Sequence, residues 1–482
     1  MQGYVENSTL DLAKHLRFMP IKEDQYTLTI EVSSNQDLAF VKNILYFYLD
    51  KKIKTAVLNE EEFLEHWNNF LSQSYQTLED QDVKLEFETI DIAKDELESP
   101  AIIFVNNILL KAIKTGASDI HIEPYEKNVL VRMRIDGKLV VVEELTNGFY
   151  QSVLSRIKVI ANMNVAEKRL PQDARFRIKI SKKEIDIRVS TIPSLFGERV
   201  VLRILDQSNT PLDLEEIGLS KEAYEDILDI LSRPYGIILV TGPTGSGKST
   251  SLYAFLKRLK SPSKNIITIE DPVEYQVEGI SQIQVNPKVG LTFASGLRSI
   301  LRQDPDIIMI GEIRDRETAE IAIQAALTGH LVLSTLHTQN ALSSVTRLFD
   351  IGIEPFLIAS SIEGLIAQRL VRKICPYCKT SYKPSYVEIK ELGLKEGDYT
   401  FYKGLGCEHC MQSGYKGRIG LFEVIKADDR LKSLISQNPS WEYIKSHIQY
   451  KSLLDDGIEK ILNGITSTEE VLQVCKIEAP NC

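Results

Sequence analysis

No stretch of this chain is apolar for long enough to cross a bilayer. Its longest apolar runs, such as residues 237–240 and 307–310, are strand-sized, far from the ~20 residues a membrane helix needs. Positive charge is also scarce. With 57 Lys and Arg against 67 Asp and Glu the formal net charge is -10, so the chain presents no general cationic field and direct nucleic-acid binding is disfavoured, although a local basic groove is compatible with that balance. Residues 1–10 have neither the basic start nor the apolar stretch of an export signal, and a cytoplasmic protein with at most peripheral membrane contact is expected. Six cysteines in 482 residues make no disulfide scaffold, because the cytosol keeps thiols reduced. The sequence contains no internal repeat and no low-complexity tract.

What is present suits a folded chain of several domains. The apolar fraction is 43% and the charged fraction 26%, as in ordinary globular proteins, and one domain per ~150 residues gives roughly three units. Residues 1–95 alternate short apolar stretches with acidic and amide-rich ones and carry no chemical motif; they read as a small α/β docking module. Residues 96–205 read as an α+β domain, with a helix over 100–114 capped by Ser99 and Pro100 in its first turn. Asp136-Gly137 between two alternating runs predicts a hairpin. Residues 206–215 are polar and carry a proline, as a linker does. Beyond them, strands at 236–241, 266–270, 307–310 and 331–335 alternate with helical stretches, the pattern of a parallel sheet covered by helices.

Residues 242–250 read G-P-T-G-S-G-K-S-T, a phosphate-binding loop between a buried strand and a helix. Gly242, Gly245 and Gly247 give the backbone freedom to curl its N–H groups around a polyphosphate, with Pro243, Thr244, Ser246 and Thr250 completing the cradle. Lys248 is expected to reach the β- and γ-phosphates of ATP, and the Ser249 hydroxyl to ligate Mg2+. Hydrolysis also needs carboxylates at strand ends. Two strands end in acid, one at Glu270-Asp271 and one at Glu312, and the residues alone do not rank them. His330 and His337 flank the strand at 331–335, where histidine is commonly structural. Arginines from another domain or subunit often neutralise a transferring phosphoryl group, but composition does not choose among them. Cys375 and Cys378 form one C-x-x-C pair and Cys407 and Cys410 another, which matches a four-thiolate Zn2+ site; His409, inside the second pair, is the less suitable ligand. Cys475 and Cys482 read as ordinary thiols.

Together these motifs resemble the secretion and pilus-assembly ATPases: the E-protein of type II secretion and its pilus-extension and competence relatives. The carriers run from about residue 99 to about residue 424. They are A-S-D-I-H-I-E-P at 117–124, R-I-D-G at 134–137, L-P-Q-D-A-R at 170–175, G-E-R-V-V-L-R-I-L at 197–205 and the phosphate loop, followed by I-E-D-P-V-E-Y at 269–275, L-R-Q-D-P-D-I-I-M-I-G-E-I-R-D at 301–315, T-G-H-L-V-L-S-T-L-H-T at 328–338, the cysteine pairs and G-R-I-G-L-F-E-V at 417–424.

The resemblance implies an α/β fold: a RecA-like ATPase core at 216–370, preceded by a small N-terminal module and a PAS-like α+β domain. A zinc subdomain follows at 371–420 and a helical part at 421–482. It implies that Glu312 polarises the attacking water, that Glu270 and Asp271 support the metal and its waters, and that His330 and His337 sense the γ-phosphate. It further selects Arg188, Arg203, Arg347 and Arg418 as phosphate-contacting arginines. A homo-hexamer is implied, docked through a cytoplasmic adaptor on an inner-membrane platform protein, and the cysteine pairs favour secretion or extension over retraction. A non-hydrolysing scaffold and a nucleic-acid motor are the competing readings. The full acidic and basic set argues against the first, and the net charge against the second.

Overall fold

Runs of β-branched residues bounded by turns build the sheets of this chain, and alternation decides which face each run buries. The computed structural model describes residues 18–23, 27–34, 41–42, 45, 52–59, 62–63, 66, 85–87, 100–180, 183–205 and 212–475. Ser99, linker residues 206–211, Cys482 and most of 1–95 lie outside them. The chain divides into two compact units: Met1–Lys114 with Ile122–Val131 and Glu143–Leu202, and Thr115–His121 with Arg132–Val142 and Arg203–Cys482.

In the first unit, β1 (Met19–Glu23), β2 (Thr27–Ser33) and β3 (Lys52–Leu58) form a sheet in that order, with Leu28, Ile30 and Val32 of β2 buried on one face. A further sheet, whose residues 119–121, 132–135, 138–142 and 203–205 are assigned to the second unit, takes the order β4-β8-β9-β10-β5-β6-β7. Its strands are β4 (Leu85–Phe87), β5 (Asp119–Pro124), β6 (Val129–Ile135), β7 (Lys138–Leu145), β8 (Gln172–Ile180), β9 (Lys183–Ser194) and β10 (Gly197–Leu205). The expected hairpin joins β6 to β7, with Asp136 at φ 47° and Gly137 at φ 87°, the left-handed pair that a two-residue turn of this hand requires. Helix α1 (Pro100–Thr115) buries Val105, Ile108, Leu109 and Ala112. Helix α2 (Asn147–Ile160) is capped by Thr146 and buries Tyr150, Val153, Leu154 and Ile157.

Inside this unit a charge pair is sealed from water. Lys158 Nζ lies 2.6 Å from Glu198 Oε1, with side chains only 1% and 3% exposed. The same ammonium donates to the Glu167 carbonyl at 2.6 Å, and the Tyr150 hydroxyl donates to the Glu198 carbonyl.

The second unit is built on a seven-stranded sheet of order β13-β12-β14-β15-β11-β16-β19. The strands are β11 (Gly236–Thr241), β12 (Ile266–Glu270), β13 (Ser281–Gln284), β14 (Ile307–Ile310), β15 (Leu331–Leu336), β16 (Ile362–Ile374) and β19 (Tyr415–Lys426), while β17 (Lys379–Tyr382) and β18 (Phe401–Gly404) pair separately. Pairing is parallel from β13 through β16, and β19 runs antiparallel to β16.

Both faces of this sheet are covered, which explains why its strands read as unbroken apolar runs. Ile237, Leu239, Ile308 and Ile310 pack on one face against α5 (Phe293–Ile300), α6 (Arg316–Leu327) and α7 (Ser343–Asp350). Ile238, Val240, Ile307 and Met309 pack on the other against residues of the helices Lys221–Leu231 (α3) and Lys248–Leu259 (α4). Two features depart from the expected boundaries. β16 continues past residue 370, and β19 begins before 421, so the start of the part expected to be helical is still strand. Among the described residues no helix is long and apolar enough to cross a membrane.

Breaking a buried pair leaves one charge uncompensated, at a cost of about 3–5 kcal/mol. Lys158→Ala is expected to lower unfolding stability by that amount in urea melts followed by circular dichroism, and Lys158→Met with Glu198→Leu to recover most of it. Equal losses in the two variants would show that packing rather than charge decides the site.

Candidate functional site

β11 carries the chain between β15 and β16 to the C-terminal edge of the parallel sheet, where the loop at 242–247 turns into α4. Gly247 is the N-cap of α4 at φ 89° and offers no side-chain cap, so the first N–H groups of the helix are left for an anion. Glycine is required there on two counts. Any Cβ would also stand 2.8 Å from the Gln368 amide nitrogen. Pro243, Thr244 and Gly245 are exposed, Lys248, Ser249 and Thr250 are half-buried, and Ser246 is buried with its hydroxyl lacking a partner among the described residues.

Lys248 folds back along the loop and donates to the carbonyls of Gly242 at 2.7 Å and Pro243 at 3.0 Å. Burial pulls its ammonium down to about 8, with the Glu312 carboxylate pulling the other way. Glu312 follows β14 and keeps a side chain 13% exposed, ion-paired to Arg314 and 3.4 Å from His337 Nε2. His337 is positioned from the neighbouring strand, because the Thr241 hydroxyl accepts the Thr338 N–H at 2.9 Å and so ties the end of β11 to the segment after β15. Burial, then the charge of Lys248, lowers the His337 pKa and favours a neutral imidazole. Carboxylate and imidazole thus meet at the ends of two adjacent strands, and the ammonium at the start of α4 is close enough to act on both through its charge.

The other expected residues divide. Glu270 is buried, and its carboxylate accepts from the Tyr253 hydroxyl, from Thr268 Oγ1 at 2.6 Å and from Gln282 Nε2 at 3.2 Å; it bonds α4 to β12. Burial first, then the bond to Glu270, pushes the Tyr253 phenol far up and keeps it a donor. Asp271, next in sequence, is exposed. His330 is not brought to this group. Its Nδ1 lies 2.9 Å from the Ala325 carbonyl and its own carbonyl accepts the Gly236 N–H at 3.1 Å, which fixes it at the entrance of β15, about 20 Å of strand away from His337. Arg347 lines a cavity of about 390 Å³ with Ile313, Arg314, Leu336 and His337. Arg203 pairs with Asp119 at 3.0 Å, Arg418 faces Asp136 at 3.7 Å, and Arg188 stands on β9 opposite Arg175 in the first unit.

Sequence reasoning missed Gln368, whose Oε1 accepts the Ser251 hydroxyl at 2.8 Å behind the phosphate loop. The available signal was an amide inside the otherwise buried strand β16.

The four paired cysteines come together with all sulfurs within 4.8 Å of one another. Cys375 and Cys407 are 3.9 Å apart, Cys378 and Cys410 3.8 Å, and Cys407 and Cys410 3.6 Å. Sulfurs at ~2.3 Å from a tetrahedral zinc would be separated by ~3.8 Å, so the cluster fits the ion. Burial opposes the Cys410 thiolate, yet the Cys407 and Gly414 N–H groups, both 3.2 Å from its sulfur, bring it down to about 6. His409 stacks on Tyr377 at 4.0 Å between ring centres and stands outside the thiol cluster. Cys475 is buried and lies outside the thiol cluster.

A profile of the family described as Type II/IV secretion system protein matches residues 94–473. The chain belongs to that family. Type II secretion system protein E of Pseudomonas aeruginosa is 50% identical over 394 residues, covering 81% of this chain and 78% of that one. The type IV pilus assembly ATPase PilB of Thermus thermophilus is 48% identical over 381 residues, 78% of this chain and 43% of PilB. Among solved structures, the pilus retraction motor PilT with bound ADP matches at a TM-score of 0.53 and 26% identity, covering 80% of this chain and 98% of PilT. The Legionella pneumophila ATPase DotB, at a TM-score of 0.59 and 22% identity over 81% of this chain and all of that one, shares the fold. The phosphate loop, its sheet and these relatives make the chain an ATPase.

A polyphosphate favours charged Lys248, so binding takes up a proton above the pH at which the lysine titrates, about 8. Below that pH the lysine leaves nucleotide affinity unchanged; above it, affinity is expected to fall by up to about tenfold per pH unit. Calorimetric ADP titrations between about pH 7 and about pH 9.5 measure this, and a level affinity would remove Lys248 from the phosphate site. Cys407→Ser is expected to reduce bound zinc to less than about half of the wild-type equivalent after dialysis. Undiminished metal content by atomic emission would place the ion elsewhere.

Proposed function

We propose that this chain is a homo-hexameric motor on the cytoplasmic side of the inner membrane, hydrolysing ATP to power pseudopilus or pilus assembly and protein secretion. The observation that carries the proposal is the pairing of Glu312 with His337 at the ends of β14 and β15, within reach of the charge of Lys248 at the start of α4, in a chain half identical to type II secretion E proteins.

In this reading the N–H groups of residues 242–250 cradle the phosphates and Lys248 balances their charge. Glu312 orients the attacking water. Neutral His337 offers one N–H and one acceptor beside it, and Arg347 meets the γ-phosphate side of the same group. Ser249 would hold Mg2+, which when bound neutralises charge on the phosphate oxygens. Glu270 acts by fixing α4 to β12, while Asp271 is the acid free to support waters of the metal. Arg188, Arg203 and Arg418 supply further positive charge when nucleotide is bound. The four cysteines would hold a structural Zn2+ that closes the subdomain at 371–420.

Residues 1–95 serve as the docking module for a cytoplasmic adaptor and the membrane platform protein, and membrane association is peripheral. Residues 96–205 form the PAS-like domain, 206–215 the linker, 216–370 the RecA-like core and 421–482 the C-terminal part. A competence pseudopilus is the alternative machine; direct nucleic-acid contact is not part of either.

Loss of a general base removes about 10²-fold or more from turnover. Glu312→Gln is therefore expected to bind ATP with little change and release phosphate at least that much more slowly. Wild-type phosphate release would refute the assignment.

A further inference from the structure

We infer that Asp136 is a positioning residue for Arg418. The inference rests on the proposed role of Arg418 as a phosphate contact and extends it to the group that aims it.

Asp136 sits at the tip of the β6–β7 hairpin, and its carboxylate reaches a segment 281 positions later, accepting the Gly417 N–H at 2.8 Å and standing 3.7 Å from Arg418 Nε. The turn itself does not require an acid at this position, since Asn-Gly serves that left-handed pair at least as well. The carboxylate therefore has a second task.

The β16–β19 ladder shows what that task is. Arg418 stands directly opposite Arg372, and cross-strand neighbours share a face, where like charges repel. Each arginine has its own counter-ion. Arg372 gives its guanidinium to Glu470 at 2.6 Å and its backbone N–H to the same carboxylate at 3.1 Å. Arg418 has Asp136. Lys138, two residues on from Asp136, lies 3.7 Å from Glu470, so the hairpin tip touches both acids' networks and is held in register with the ladder. Arg418 faces the Asp136 carboxylate through Nε at ion-pair distance, and its guanidinium donates no hydrogen bond within the chain among the described residues. A guanidinium held at one edge by charge alone keeps its N–H donors for an oxyanion.

Removing the charge on Asp136 would leave Arg418 beside Arg372 without a counter-ion of its own. Asp136→Asn isolates this effect, because it preserves the turn and an oxygen for the Gly417 N–H. The expected result is a fall in kcat of about tenfold with KM within about twofold, as for loss of orientation rather than of binding. Zinc content and Tm should match the wild type. In the Arg418→Gln background the same substitution should cost nothing further, because Asp136 acts through Arg418.

Three outcomes would overturn the proposal: unchanged kcat in Asp136→Asn, an equal further loss on top of Arg418→Gln, or a loss that tracks Tm and zinc content. If Arg418→Gln itself turns over like wild type, the assignment of Arg418 to the phosphates fails and Asp136 has nothing to position. If Arg418→Gln is impaired while Asp136→Asn is normal, only the positioning role falls.

Discussion

The burial of β11 on both faces is the constraint from which the site follows. Its residues alternate between two apolar layers, Ile237 and Leu239 to one and Ile238 and Val240 to the other, so the strand cannot slip by one residue without reversing every contact. A fixed strand fixes the point at which the chain leaves the sheet. Parallel neighbours all emerge at the same edge, and that edge therefore collects the phosphate loop from β11, Glu312 from β14 and His337 from β15 without long-range loops. The small bonds that finish the arrangement, such as Thr241 to Thr338, are short-range adjustments on a frame already set by packing.

The same geometry separates residues that look adjacent in sequence. His330 and His337 bracket one strand of six residues, and a strand places its two ends at opposite edges of a sheet. The pairing of the two histidines in one motif carried no information about which edge is chemical. Direction supplied it: β15 is parallel to β11, so the histidine after the strand lies with the phosphate loop and the one before it does not. Glu270 makes a related point. Its position at a strand end is that of a metal-site acid, but Tyr253, Thr268 and Gln282 supply donors to both oxygens, and none of those three stands near it in a recognisable pattern except Thr268.

Much of the frame was legible because it depends on local periodicity. The strands β11, β12 and β14 fall at the residues their apolar runs predict, and the Asp136-Gly137 hairpin follows from turn chemistry alone. The four cysteines were legible for the same reason, since each pair needs only a short knuckle. Helix α2 was missed although Tyr150, Val153, Leu154 and Ile157 have helical spacing; its opening Asn-Gly reads more readily as a turn. What periodicity could not reach was any relation between distant segments. Gln368 under the phosphate loop, the Lys158–Glu198 pair and the Asp136–Arg418 contact each join residues at least 40 positions apart, and no pattern within a single window contains them.

The ribbon of β16 and β19 brings these distant relations into one element. β16 passes Gln368 beneath the phosphate loop and runs on to Ile374, where the next residue is the first cysteine of the metal cluster. β19 begins five residues after the last cysteine of that cluster and pairs Tyr415 with Ile374 and Arg418 with Arg372. Four thiolates around one ion would therefore tie the far ends of the two strands together. Their near ends are tied by packing in the sheet, with Leu365, Leu421 and Ile425 buried in one layer. A two-stranded antiparallel ribbon is marginal in isolation, and one anchored at both ends has little freedom to twist. The side chains it carries toward the nucleotide loop and the hairpin tip, Gln368 on one strand and Arg418 on the other, then stand on a stiff support instead of on a loop. This gives the cysteine cluster a physical connection to the ATPase site that its separation along the chain conceals.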